Sequence, residues 1–175
     1  KLRNYLKENG KILLNIDDPY LHEMFQFKRD IITYGKNGRF QIKDIHSSLF
    51  ETTFTIQNLS FHTNLCGKYV GINLCAVLCC LDSMNIPLLN CINPVKQLKM
   101  VEGRMEMIEI NERYIIIDYA HTPAALESAC QFLNENKYNR LICVFGCGGE
   151  RDKKKREVMS LVASQNSDLV IVTED

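Results

Sequence analysis

The sequence has 175 residues, and its 21 Lys and Arg balance 21 Asp and Glu, so the formal net charge is zero. This balance gives no general electrostatic grip on nucleic acid or on an anionic membrane. No stretch approaches the apolar length needed to cross a bilayer, and the charged segment Lys1 to Gly10 lacks the apolar core of a signal peptide. The chain starts at Lys1 without an initiator Met, and is read as an excerpt of a cytoplasmic protein.

In chain order, Lys11 to Ile16 reads as a strand that ends at Asp17-Asp18. Arg39 to Leu65 shows β-like runs broken by Asn37-Gly38 and Ser47-Ser48, which predicts antiparallel strands. Gly71 to Met84 reads as a mostly buried helix, and Asn93-Pro94 starts a short helix leading into Val101-Glu102-Gly103-Arg104. From there the pattern becomes regular. Tyr114 to Asp118 is a short β-branched run, read as a buried strand. Thr122-Pro123 supplies an N-cap followed by Pro at the first helical position, and Ala125, Leu126, Ala129, Phe132 and Leu133 recur at helical spacing. Leu141 to Phe145 is a second strand; Val158, Met159, Leu161 and Val162 mark a helix, and Leu169 to Thr173 a third strand. The order β-α-β-α-β implies a doubly wound parallel sheet, with the domain boundary near residue 100.

Eight cysteines raise the question of a metal site, but the pair Cys143 and Cys147 has no second pair at ligand spacing. Most of the eight lie in apolar runs, where Cys behaves as a small buried hydrophobe. In an open parallel sheet, ligands bind outside the carboxyl ends of the strands. Polar clusters fall at three such ends: Asp118-Tyr119-Ala120-His121-Thr122-Pro123, Gly146-Cys147-Gly148-Gly149-Glu150-Arg151-Asp152, and Glu174-Asp175. They are expected to share one rim. Each has a plainer reading, since a strand-end Asp also caps turns and Lys153 to Arg156 also suits a solvated helix start. The glycine loop is neither a dinucleotide fingerprint, because Arg151 stands where the third Gly belongs, nor a Walker loop. It does offer backbone amides at a helix start, and Arg151 can fork onto a carboxylate or phosphate.

Together, the Asp118 to Pro123 and Gly146 to Arg156 segments resemble the C-terminal domain of the UDP-N-acetylmuramoyl-tripeptide synthetases, the MurE-type members of the Mur ligase family. Gly103-Arg104-Met105-Glu106 is similar to the motif that joins the central and C-terminal domains of those enzymes. Asn15-Ile16-Asp17-Asp18 and Gly67 to Asn73 are similar to late segments of their central domain, with Val70 where the family has Asn. The resemblance implies an α/β chain. Residues 1–100 would be the mixed-sheet, C-terminal part of a P-loop-type ATPase domain, and residues 101–175 the βαβαβ start of a Rossmann-like ligase domain. It further implies ATP-dependent addition of the third amino acid to UDP-N-acetylmuramoyl-L-alanyl-D-glutamate through an acyl phosphate, in peptidoglycan synthesis and hence in cell shape and division. Meso-diaminopimelate is the first expectation for that amino acid and lysine the second. By the same resemblance Asn73, Arg104 and Asp118 bind ATP, His121 is catalytic, and Arg151 holds the carboxylate of the amino acid. ATP and Mg2+ are the implied cofactors, with the metal ligands and phosphate loop upstream of Lys1, so the chain alone is expected to be inactive. The implied partners are the UDP-sugar dipeptide and an amino acid, with no nucleic acid and no membrane, acting on a monomer. The alternatives are another ligase of the superfamily (folylpolyglutamate- or cyanophycin-synthetase-like), or a non-catalytic assembly protein of the same descent.

Overall fold

The computed structural model describes residues 7, 10–20, 31–137, 139–147 and 153–174, apart from the side chains of Lys153 and Lys154. The chain divides into two compact units, residues 1–65 with 69–98, and residues 66–68 with 99–175. Among the described residues no helix is long and apolar enough to cross a membrane.

The first unit is a five-stranded sheet in the order β1 (Ile12–Asn15), β2 (Ile31–Gly35), β3 (Phe40–Ser47), β4 (Thr52–Ile56), β5 (Leu59–Thr63). The expected antiparallel strands are β3, β4 and β5, while β1 and β2 run parallel and β2 meets β3 in a short parallel pairing. Strict alternation on β4 sends Thr52, Phe54 and Ile56 to the buried face. Phe54 lies directly across from Phe61, with ring centres 5.3 Å apart. The turn between β4 and β5 is Gln57-Asn58, both at positive φ, as a two-residue hairpin loop matching strand twist requires. Helix α1 (Val70–Ser83) covers this face with Leu74, Cys75, Leu78 and Cys79, and α2 (Ile92–Lys96) adds Val95 to the same core. A side chain at Gly71 would come within 3.0 Å of Ile45, so glycine lets α1 approach β3. The polar Thr52, wholly buried, is satisfied by Ser47 and by the Leu65 carbonyl.

The second unit contains the hairpin β6 (Glu106–Ile110) and β7 (Arg113–Ile117), then α3 (Pro123–Asn136), β8 (Ile142–Gly146), α4 (Lys153–Asn166) and β9 (Leu169–Thr173). The β-α-β-α-β order from β7 to β9 stands, β8 and β9 are parallel, and Thr122 caps α3 by accepting from Ala125 N–H with Pro123 behind it. The pairing of β7 differs from expectation. It is antiparallel to β6, and the described strands of this unit form two separate two-stranded sheets. Nor is β7 buried, since Ile115 and Ile117 are 49% and 43% exposed. An apolar run states that a strand is hydrophobic, not how many partners it finds or whether both faces are covered. The hairpin has little local signature in the sequence because its turn is Asn111-Glu112, with both residues at positive φ but no glycine to announce them.

A small core joins α3, β8 and α4 through Leu126, Cys130, Cys143, Phe145, Met159, Val162 and Ala163. Six of the eight cysteines are buried, as the apolar-run reading expects. Burial pushes the Cys75 thiol up to about 12 and Cys79 up to about 11, so both remain neutral. The loops at the base of β8 and β9 are tied together by Asp168, which accepts from Lys137 Nζ at 2.6 Å and from Leu141 N–H at 2.8 Å.

Phe54→Ala should destabilise the first unit by about 3–5 kcal/mol in urea unfolding, whereas Tyr20→Ala, at an exposed position, should change it by less than about 0.5 kcal/mol. The second unit carries a pH signature. The Lys137 hydrogen bond, then the Leu141 amide, hold the Asp168 carboxyl below the usual carboxylate range. A depressed carboxylate contributes stability above its unfolded pKa of about 3.9, and that contribution is lost as pH falls through the folded value. Asp168→Asn should therefore lower the melting temperature at pH 7, and the gap from wild type should close as the pH is taken below about 3.9.

Candidate functional site

The β6–β7 register generates the site of the second unit. Glu106 pairs with Ile117. One step outward the same register sets Met105 opposite Asp118, and the next sets Arg104 opposite Tyr119. The contacts follow this order. Met105 N–H donates to Asp118 Oδ2 at 2.9 Å, Tyr119 N–H donates to the Gly103 carbonyl at 2.9 Å, and the Arg104 guanidinium lies 4.9 Å from the centre of the Tyr119 ring. Gly103 N–H donates to Glu106 Oε2 at 2.9 Å. Gly103 and Met105 both sit at positive φ, 68° and 49°, so the segment is a tight double bend whose amides two carboxylates hold.

His121 completes the cluster. Its Nδ1 lies 3.1 Å from the Tyr119 carbonyl, and its ring centre is 5.0 Å from the Tyr119 ring at 52°. A carbonyl can only accept, so Nδ1 carries the proton, and in the neutral ring Nε2 is left with its lone pair for chemistry. Arg104, Asp118, Tyr119 and His121 are all exposed. Beneath them Cys66 S–H donates to the Met105 carbonyl; burial pushes this thiol up, and the Asp118 carboxylate adds to the rise while a backbone hydrogen bond opposes it.

The other predicted residues are placed differently. Asn73 belongs to the first unit, exposed on the first turn of α1, where its N–H donates to the Tyr69 carbonyl. Val70 begins α1 and packs against the core of that unit. Asp17 braces the β1–β2 end of the sheet by accepting from the Asn37 backbone and side chain, and a side chain at Gly35 would collide with its carboxylate. Arg151 and the stretch 148–152 lie outside the described residues, as does Asp175. Gly146 pairs with Thr173, so Cys147 and Glu174 follow the parallel pair at the same edge. Within the cluster, sequence reading gave Tyr119 and Glu106 no role although both stand in quoted motifs. The Tyr119–Arg104 contact exists only across the hairpin register and has no signature along the chain, and the Glu106–Gly103 contact, though it spans only three residues, depends on the positive-φ bend between them.

The residues fit a nucleotide in part. Asp118 gives one oxygen to Met105 and, among the described residues, no hydrogen bond goes to the other, which suits a hydroxyl donor. Arg104 supplies an exposed cation. Among the described residues no group of three or more His, Cys, Asp or Glu side chains can hold a metal ion, so none of them is assigned to Mg2+.

Residues 103–175 match the family Mur ligase, glutamate ligase domain, and residues 1–81 match the family Mur ligase middle domain. The chain belongs to the Mur ligase family. It is 46% identical over 117 residues to the UDP-N-acetylmuramoyl-L-alanyl-D-glutamate--2,6-diaminopimelate ligase of Coxiella burnetii, covering 66% of this chain and 24% of that protein. It is 36% identical over 176 residues to the ligase of the same name from Haemophilus influenzae, covering 93% of this chain and 36% of that one. A solved structure titled as the same ligase superimposes with a TM-score of 0.63 at 32% identity, over 94% of this chain and 37% of its own. The chain thus spans about a quarter to a little over a third of these relatives' length.

The Asp118–Met105 contact can be tested directly. Asp118→Ala should speed hydrogen exchange of the Met105 amide by roughly tenfold or more, as loss of a charge-assisted hydrogen bond implies, while Asp118→Asn, which keeps an acceptor oxygen, should have a smaller effect. Equal exchange in all three proteins would show that the bond does not hold the bend.

Proposed function

We propose that this chain serves an ATP-dependent acid–amino-acid ligase that adds meso-diaminopimelate to UDP-N-acetylmuramoyl-L-alanyl-D-glutamate in the cytoplasm. The observation that carries the reading is the open end of the β6–β7 hairpin, where Tyr119 contacts both Arg104 and His121 and Asp118 accepts from the Met105 amide. In this reading the substrate carboxylate takes the terminal phosphoryl group of ATP, and the amine then displaces phosphate from the acyl phosphate. Such chemistry needs positioning and charge stabilisation more than covalent help from the protein. Asp118 accepts a ribose hydroxyl, Arg104 meets phosphate charge, and Asn73 lies by the adenine. His121, with Nδ1–H engaged by Tyr119, offers Nε2 at the reacting acyl group. Arg151 holds the carboxylate of the incoming amino acid. Residues 1–100 would then be the end of the central ATP-binding domain and residues 101–175 the start of the ligase domain. Mg2+, when bound, would neutralise phosphoryl charge from ligands outside the described residues.

In the full-length protein, phosphate release from ATP should require both the UDP-sugar dipeptide and meso-diaminopimelate, with lysine a poor replacement. Release that never depends on an added amino acid would overturn the proposal. Arg151→Ala should raise KM for the amino acid by about ten- to a hundredfold and leave KM for ATP nearly unchanged, with Arg151→Lys restoring only part, since an ammonium lacks the two-pronged geometry. An unchanged KM for the amino acid would refute the carboxylate clamp.

A further inference from the structure

Tyr119 is a large aromatic side chain left 63% exposed, and a single exposed ring is ordinary on a protein surface. Its contacts are not ordinary. The ring carries the Arg104 guanidinium at 4.9 Å, inside the range where a cation is drawn to an aromatic face, and the His121 ring at 5.0 Å in a tilted arrangement. The backbone of the same residue works in parallel: its N–H holds the Gly103 carbonyl, and its carbonyl accepts from His121 Nδ1. Long side chains such as Arg lose much rotamer freedom when they bind a ligand, so one already stacked on a ring forfeits less. The imidazole gains likewise, because the tautomer and the direction of Nε2 are set before any substrate arrives.

We infer that Tyr119 is the positioning residue of this site: its ring and its carbonyl hold Arg104 and His121, the cation and the imidazole, in a preset relation. What they are preset for, a nucleotide triphosphate and an acyl group, rests on the function proposed above. The ring is the element that matters, so a planar substitute without the phenol preserves the arrangement and an aliphatic one of similar bulk abolishes it.

Two measurements separate this idea from the reading on which it rests. In the present chain without nucleotide, the Arg104 side-chain protons and the His121 ring protons should show ring-current shifts in NMR spectra. These shifts should persist in Tyr119→Phe and vanish together in Tyr119→Leu, with the rest of the spectrum and the melting temperature unchanged. If Tyr119→Leu leaves both sets of signals where they were, the inference is overturned. In the full-length protein, Tyr119→Leu should raise KM for ATP by roughly fivefold, with rescue by Tyr119→Phe. Arg104→Ala is the control for the site itself. If Arg104→Ala weakens ATP use and Tyr119→Leu does not, Tyr119 is not the positioning residue. If Arg104→Ala leaves ATP use intact, the nucleotide reading fails, and the inference then stands or falls on the NMR shifts alone.

Discussion

The register of the β6–β7 hairpin is the constraint from which the candidate site follows. Two residues, Asn111 and Glu112, close the turn with positive φ, and once they do, every pairing from Ile110 with Arg113 to Glu106 with Ile117 is determined. Beyond the last ladder pair the same register carries Met105 to Asp118 and Arg104 to Tyr119. A slip of one residue would take the Asp118 carboxylate away from the Met105 amide and the Arg104 guanidinium away from the Tyr119 ring. Residues separated by thirteen and fifteen positions in the chain meet for this reason alone.

The double bend at Gly103 and Met105 depends on that register in turn. Left-handed backbone is unfavourable for a residue such as Met, and it persists where surrounding groups over-determine it. Here Asp118 and Glu106 each accept an amide of the bend, and Tyr119 N–H engages the Gly103 carbonyl. The same Asp118 that is proposed to meet a ribose therefore also has a structural duty. A change at Asp118 acts on ligand and scaffold together, which is why acceptor-preserving and acceptor-deleting substitutions must be compared.

The two units handle their apolar strands differently. In the first, β3 and β4 face α1 and β5 faces α2, and Phe54, Ile56 and Phe61 are closed off almost completely. In the second, Cys143 and Phe145 of β8 are buried against α3 and α4, while Ile142 and Val144 on its other face remain exposed. The β7 face bearing Ile115 and Ile117 is open in the same way. Exposed apolar strand faces of this kind are where further burial would lower the free energy most.

Local chemistry was legible along the chain. Thr122-Pro123 announces the start of α3 because an N-cap oxygen and a fixed proline φ act within one turn. The antiparallel β3–β5 region and α1 could be read from alternation and apolar spacing, and the buried cysteines from their apolar neighbours. The motif segments that contain Arg104, Asp118 and His121 were also legible, through their resemblance to the family. Other features were settled only by the tertiary structure. Strand β7 reads along the chain as a buried strand of a parallel sheet, yet it pairs antiparallel with β6, since an apolar run does not name its partner. Strand β2 and the parallel pairing of β1 went unseen for the same reason. The contact of the Tyr119 ring with the Arg104 guanidinium exists only across the hairpin. Capping and periodicity are near-neighbour properties that a sequence carries in itself, whereas strand pairing and cross-register contacts depend on which distant segments lower the free energy by meeting.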